Sequence, residues 1–289
     1  MSRNINLHTL NDSAKFARQS FSEVVLRQDD EINLAEAALF IAAEEYPNLV
    51  VAEYLDKLAG FAEMVRRQLT DEMNSVAIID AINEVVFGEL HFRGNMESYY
   101  DPRNSFLNQV IDCRRGIPIT LSVIYLDIAR RIEVPMSPVG LPGHFLIKHQ
   151  DETGDLYVDP FNGGRVMIEP DVAELLSRVT GDRVTLTREH LAPATNKQVL
   201  TRILANLYRV YAQSMDYGRA VSTLDRMLLI EPGTPGYLRD RGILYAAMNK
   251  FEQAIADLER YLKVAPEADD AETLRDRIRT IRLDRARLN

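Results

Sequence analysis

The chain of 289 residues has no tryptophan and one cysteine, Cys113. A single cysteine excludes an intramolecular disulfide and suits a reducing compartment, so a cytoplasmic location is expected. No apolar stretch approaches the roughly 20 residues of a membrane-spanning helix, and the opening MSRNINLHTLNDSAKF has no apolar signal core. Phosphate-cradling loops of the GxxxxGK(S/T) or GxGxxG kind are missing, as are CxxC and HExxH spacings. His144 and His149 differ by five positions, which puts them on opposite faces of a strand. Neither a metal nor a cofactor is therefore expected. A net charge of −9 argues against broad nucleic-acid binding.

Helical patterns dominate what is present. Residues 34–45 are rich in Ala and Leu and stop before Pro47. Tyr54, Leu58, Phe61, Val65 and Leu69 form an amphipathic stripe, and Ser75 is expected to cap a third helix carrying Ile78, Ile82 and Val85. Near the other end, DYGRAVSTLDRMLLIEP at 216–232 aligns with KFEQAIADLERYLKVAP at 250–266, an offset of 34. That period, with small residues at helix contacts and a closing proline, is the tetratricopeptide pattern. Arg275, Arg277, Arg279, Arg282, Arg285 and Arg287 then decorate a final helix whose Leu274, Ile278, Ile281 and Leu288 fit one stripe, a capping helix with a solvated basic face.

The segment 112–164 carries the chemistry. Pro118 suits the first position of a helix, where its missing N–H costs nothing. Leu121, Ile124, Tyr125, Ile128 and Ile132 then give one core-facing stripe, and Val134-Pro135 ends the helix. Strand-like runs at 144–148 and 156–158 flank the turn cluster DETGD. Paired as a hairpin, they set His144 opposite or diagonal to Asp159. A carboxylate in that position fixes the tautomer of an imidazole and stabilises its charged form. Gly143 before the histidine and Gly163-Gly164 after the aspartate leave backbone space for a ligand. Tyr99, Tyr100, Asn104 and Asn108, with Pro118 and Phe161, are candidate cleft-lining residues. The alternative for 95–110 is a loop whose Asn and Asp residues satisfy their own backbone. Further strands are expected at 166–168 and 184–187, a short helix at 171–179, and a linker at 187–198.

RRGIPITLSVIYLDIARR, followed by PGHFLI and VDPFNGG, resembles the bacterial SirB-type family, in which a transglutaminase-like core precedes tetratricopeptide repeats. With the C-terminal repeats the resemblance spans most of the chain. It implies an α+β fold: a helical N-terminal region and a small antiparallel sheet of papain-like type over 1–190, then an all-α array over 191–289 of two repeats plus a capping helix. In transglutaminase-like enzymes a Gly-x-Cys opens the helix, about a helix length before a Gly-Ile-Pro-like turn, and His and Asp follow on successive strands. Here the turn is Glu133-Val134-Pro135, and Pro118 occupies the place of the thiol, while His144 and Asp159-Pro160 fit the other two roles.

Three functions follow. A non-catalytic module would retain a His144–Asp159 cleft and bind a protein or peptide through the cleft or the repeats, the repeats serving equally as a homodimer contact. A ligand-binding protein would use the His144–Asp159 cleft to hold a small polar ligand or a peptide terminus. An enzyme, a thiol hydrolase or acyl transferase, would use Cys113 with His144 and Asp159. Cys113 precedes Pro118 by five residues, up to about 16 Å of extended chain, and Arg114 and Arg115 would favour its thiolate. Thr120 and Ser122 are minor hydroxyl candidates.

Overall fold

Asparagines open two of the N-terminal helices. We describe residues 7–70, 72–151 and 154–288 of a computed structural model. After α1 (Leu7–Val25), the Asn33 side chain accepts from the Glu36 N–H and starts α2 (Leu34–Glu45), whose alanines are all buried. In α3 (Val51–Arg66), Leu58, Phe61, Ala62 and Val65 turn inward. Asn74, rather than Ser75, caps α4 (Ser75–Asn83): its Oδ1 accepts from Ala77 N at 2.9 Å. The Ser75 hydroxyl is used elsewhere, 3.0 Å from Nε2 of His149. A π-helical turn, Glu84–Glu89, prolongs α4.

Two short strands, β1 (Arg93–Gly94) and β2 (Arg115–Gly116), pair in parallel on either side of α5 (Leu107–Cys113). Pro118 then opens α6 (Pro118–Arg131) at its first turn, as its fixed φ favours. The sequence suggests a one-sided stripe for this helix, but residues 118–125 and 127–129 are all buried. Helices α2 to α5 pack on it, and so does the sheet, so no polar face is needed. Asp127, buried in its last turns, is held by Arg130 at 2.9 Å and Arg131 at 2.6 Å.

The sheet is an antiparallel meander of β3 (Met136–Leu141), β4 (His144–Asp151), β5 (Gly154–Asp159) and β6 (Arg165–Met167), in that order. No strand is expected from the sequence at β3, which contains the poor strand formers Pro138 and Gly140. The strand lies at the sheet edge, where a missing N–H is tolerated. Val139, Leu141, Leu146, Tyr157 and Met167 form a core with Val172 and Leu175 of α7 (Glu169–Thr180) and with Leu191. Residues 184–187 form no strand, in contrast to the one expected there.

The chain divides into two units, Met1–Ile203 and Leu204–Asn289, within α8 (Asn196–Gln213) and later than residue 190. The stretch before the division is tied to the first unit. Ala194 N donates to Pro138 O at 2.8 Å, and the N–H groups of Asn196 and Lys197 both donate to the Asp29 carboxylate. In the second unit, α9 (Tyr217–Ile230) and α11 (Phe251–Val264) start and stop with the 34-residue offset of the sequence. Between them runs α10 (Pro235–Ala247), and α12 (Ala271–Leu288) closes the array, burying Leu274, Ile278 and Ile281 against Leu238, Leu258 and Tyr261. A Cβ on Gly242 would lie 2.8 Å from Leu258, so the crossing of α10 and α11 requires glycine. Arg241 of α10 joins three helices, donating to both Asp257 oxygens (2.7 and 2.8 Å) and to Asp225 (2.7 Å). Replacing it with Met leaves the largely buried Asp257 without its bidentate partner. Arg241→Met is expected to destabilise the full chain by about 3 kcal/mol in denaturant titration.

Candidate functional site

The site is built on a two-residue turn. Leu141 pairs with His144 across Pro142-Gly143, and Gly143 has φ +73, a conformation natural to glycine. A Cβ there would also approach Val179 to 2.7 Å. Arg202, from α8, donates through Nη2 to the carbonyls of both Leu141 (2.5 Å) and His144 (2.7 Å), while its guanidinium lies 5.4 Å from the Phe145 ring centroid. Both ends of the turn that presents the imidazole are thus held by one side chain.

Asp159 reaches that imidazole from the next strand. The β4–β5 register pairs Ile147 with Val158, and one further step sets Asp159 beside Leu146, diagonal to His144. Nε2 of His144 lies 2.9 Å from Oδ2 of Asp159, with the side chains 7% and 1% exposed. A charged Asp159 requires Nε2–H to be the donor, which leaves Nδ1 as the basic lone pair of the neutral ring. The same carboxylate caps the 3-10 turn Pro160–Asn162: Oδ1 accepts from Phe161 N (3.1 Å) and Asn162 N (3.3 Å), and Oδ2 also accepts from Asn162 Nδ2 (2.7 Å). Burial pushes this carboxyl up, but the bonds from His144 and Asn162 outweigh it and hold it below the usual carboxylate range.

A second brace fixes the loop behind Asp159. Gly164 N donates to Asp159 O at 2.9 Å, Asn83 Nδ2 donates to Gly164 O at 2.9 Å, and the Tyr125 hydroxyl of α6 donates to Asn83 Oδ1 at 3.2 Å. Gly164 has φ +77, and a Cβ on it would overlap Asn83. Asn83, Asn162 and Arg202 are the positioning residues that the sequence alone did not reveal. Asn162 had a local signal, an asparagine three residues after a turn-capping aspartate; the other two had none.

The candidate lining residues fall into four groups. The Phe161 ring meets His144 edge-on at 6.1 Å between centroids, and Tyr99 meets Phe161 at 6.0 Å and Tyr100 at 5.3 Å. Asn104 is buried, its amide bonded to Asn95, Ser98 O and Tyr99 O, and it shares a 210 Å³ pocket with Cys113, Arg103 and Arg115. Asn108 lines a different cavity, formed with Tyr46 and Tyr54. Pro118 is buried at the start of α6. Around it, Thr120 Oγ1 donates to Asn104 O (2.7 Å) and Ser122 Oγ donates to Pro118 O (2.8 Å).

Cys113 is exposed and is the last residue of α5. Carbonyls gather negative partial charge at that end of a helix, opposite to the end at which thiols are activated. Arg114 follows in the left-handed region (φ 57), its guanidinium between the rings of Phe61 and Phe92 at 4.7 and 4.6 Å. Among the described residues no hydrogen bond joins Cys113 to His144. The structure therefore brings the imidazole and carboxylate together as an oriented pair able to exchange a proton or accept a hydrogen bond.

Residues 52–205 match the model of the transglutaminase-like superfamily, and residues 207–279 match a tetratricopeptide repeat. A UPF0162 protein of Xylella fastidiosa (strain Temecula1) is 37% identical over 250 residues, covering 86% of this chain and 89% of that one. Protein SirB1 of Salmonella typhimurium is 25% identical over 238 residues, 82% of this chain and 87% of its own. F-box only protein 21 of Mus musculus is 35% identical over 138 residues, 45% of this chain but 21% of the mouse protein.

The lowered carboxyl of Asp159 fixes a pH dependence. Its stabilisation is complete above the unfolded carboxyl value near 3.9 and is lost as pH falls through the lower folded-state value. Asp159→Asn is expected to cost about 2 kcal/mol at pH 7. In urea titrations at successive pH values, the gap to wild type is expected to close below about pH 4.

Proposed function

The chain belongs to the transglutaminase-like superfamily, as a protein of SirB type with tetratricopeptide repeats after the core, and on that premise we propose that it is a non-catalytic protein-binding or regulatory module. The observation that carries this reading is the occupant of the first turn of α6. Pro118 stands there, buried, with hydroxyl neighbours Thr120 and Ser122 bonded to backbone carbonyls. The only thiol of the chain ends a different helix and faces solvent. A nucleophile needs its base within hydrogen-bond reach.

What remains suits recognition. His144 is oriented and presents Nδ1. Beside it the aromatic row Phe161, Tyr99 and Tyr100 grows more exposed toward its end, Tyr100 being 65% exposed. Aromatic rings next to a fixed polar group supply contact area at low entropic cost, as peptide-binding surfaces do. The repeats give a second surface, for the same partner or for a second copy of the chain. The related core within F-box only protein 21 is a small part of a much longer chain, which fits use as a module.

The competing enzyme reading rests on Cys113 lying in one pocket with Arg103 and Arg115. Iodoacetamide alkylation separates the two. Labelling of Cys113 at neutral pH is expected to change by less than about twofold in His144→Ala; slowing by an order of magnitude would restore the thiol–imidazole pair. A partner retained by the full chain is expected to be lost on Tyr100→Asp, a surface change remote from the core. Undiminished retention counts against the aromatic row as the contact.

A further inference from the structure

The two-stranded parallel sheet sets like charges side by side. Arg93 of β1 is the register partner of Arg115 of β2, so both side chains leave the same face. Like charges placed opposite each other in a sheet are destabilising. Among the described residues Arg93 is in no ion pair. Arg115 reaches only the exposed Glu97, at 3.5 Å, longer than a normal hydrogen bond. Arg115 also lines the 210 Å³ pocket that holds Cys113. None of the lining residues belongs to the His144–Asp159 pair, so the two sites stand or fall separately.

The chemistry of the walls selects the ligand. Of the lining residues Asp101 is the one carboxylate. Arg103 holds it, donating through Nε to both oxygens (3.1 and 3.0 Å) and through Nη2 to Oδ2 (2.6 Å). Those bonds keep the Asp101 carboxyl below the usual carboxylate range against the opposing effect of burial, so the pair is neutral as a unit. The Ser98 hydroxyl and the Gln109 carboxamide have no hydrogen-bond partner among the described residues, and each can donate. The guanidinium groups of Arg103 and Arg115 against the single carboxylate leave one positive charge on the walls. The carbonyl end of α5 opposes it with roughly half an elementary charge at most, so the sign stays positive. A cation is therefore repelled, a singly charged anion is matched, and a doubly charged phosphate group exceeds what the walls can balance. The pocket is also smaller than the roughly 300 Å³ at which drug-sized sites begin, which limits the occupant to a compact group. We propose that this pocket binds a carboxylate group, with Arg115 as its charge partner and Ser98 and Gln109 donating to it. The arginines beside Cys113 then have a role that needs no thiol chemistry.

Such a group is supplied by a free small organic acid or by the carboxy terminus of a peptide. Propionate and acetyl-Gly-Gly represent the two sources. Cys113 lines the same pocket and reports its occupancy. In the full chain at constant ionic strength, propionate is expected to slow iodoacetamide alkylation of Cys113 saturably, and its neutral analogue propionamide is not. Arg115→Gln is expected to weaken propionate on the order of tenfold, the loss of a hydrogen bond between charged groups. Arg93→Gln, a change at an exposed side chain, is expected to raise the thermal midpoint of the unliganded chain, because it removes the like charge beside Arg115. Acetyl-Gly-Gly binding more tightly than propionate identifies a peptide terminus as the occupant, and binding less tightly identifies a free acid. Absence of saturable slowing, equal slowing by propionamide, tighter binding of inorganic phosphate than of propionate, propionate affinity indifferent to Arg115→Gln, or a lowered midpoint in Arg93→Gln overturns the proposal.

Discussion

A carboxylate that is 1% exposed survives in a fold only when its lone pairs are occupied, and Asp159 meets that demand four times over. One oxygen closes the turn that follows, and the other receives Asn162 and the imidazole of His144. The demand propagates outward. The backbone of Asp159 accepts from Gly164, Gly164 is held by Asn83, and Asn83 is held by Tyr125 of α6. The direction of the His144 ring is therefore a property of three elements, the sheet, α6 and the end of α4, rather than of a single contact.

Helix α6 is the other fixed element. Sheet and helices cover it around nearly its whole girth, so its residues are dictated by packing, and its one buried carboxylate, Asp127, carries two arginines with it. Pro118 satisfies the helix start without an N–H. The transglutaminase-like core and the repeats after it are retained around this helix.

The second unit obtains its order differently. Each helical pair repeats the one before, so contacts are local along the chain and each unit buries its apolar face on a neighbour. Gly242 sets how closely α10 and α11 approach, and Arg241 with Asp225 and Asp257 fixes their rotation by directional bonds. Interactions of this kind specify geometry more than they add net stability.

Several elements were legible before any coordinates. The 34-residue offset placed α9 and α11, Pro118 marked the start of α6, and the order of His144, a turn cluster and Asp159 implied a hairpin with a diagonal pair. Each of these signals is local or periodic, and periodicity is what a linear chain displays directly. Others were misread for the same reason. Pro138 and Gly140 disguised an edge strand, Ser75 masked the cap at Asn74, and the stripe on α6 concealed burial around most of its girth. Arg202 clamps a turn 58 residues away, and Asn83 braces a loop 81 residues away. Sequence alone determined the repeat, the family pattern and the identity of the paired groups, because those depend on neighbours in the chain. Tertiary structure decided which polar atoms are satisfied and which are left over, because hydrogen bonding is settled by what arrives from distant segments.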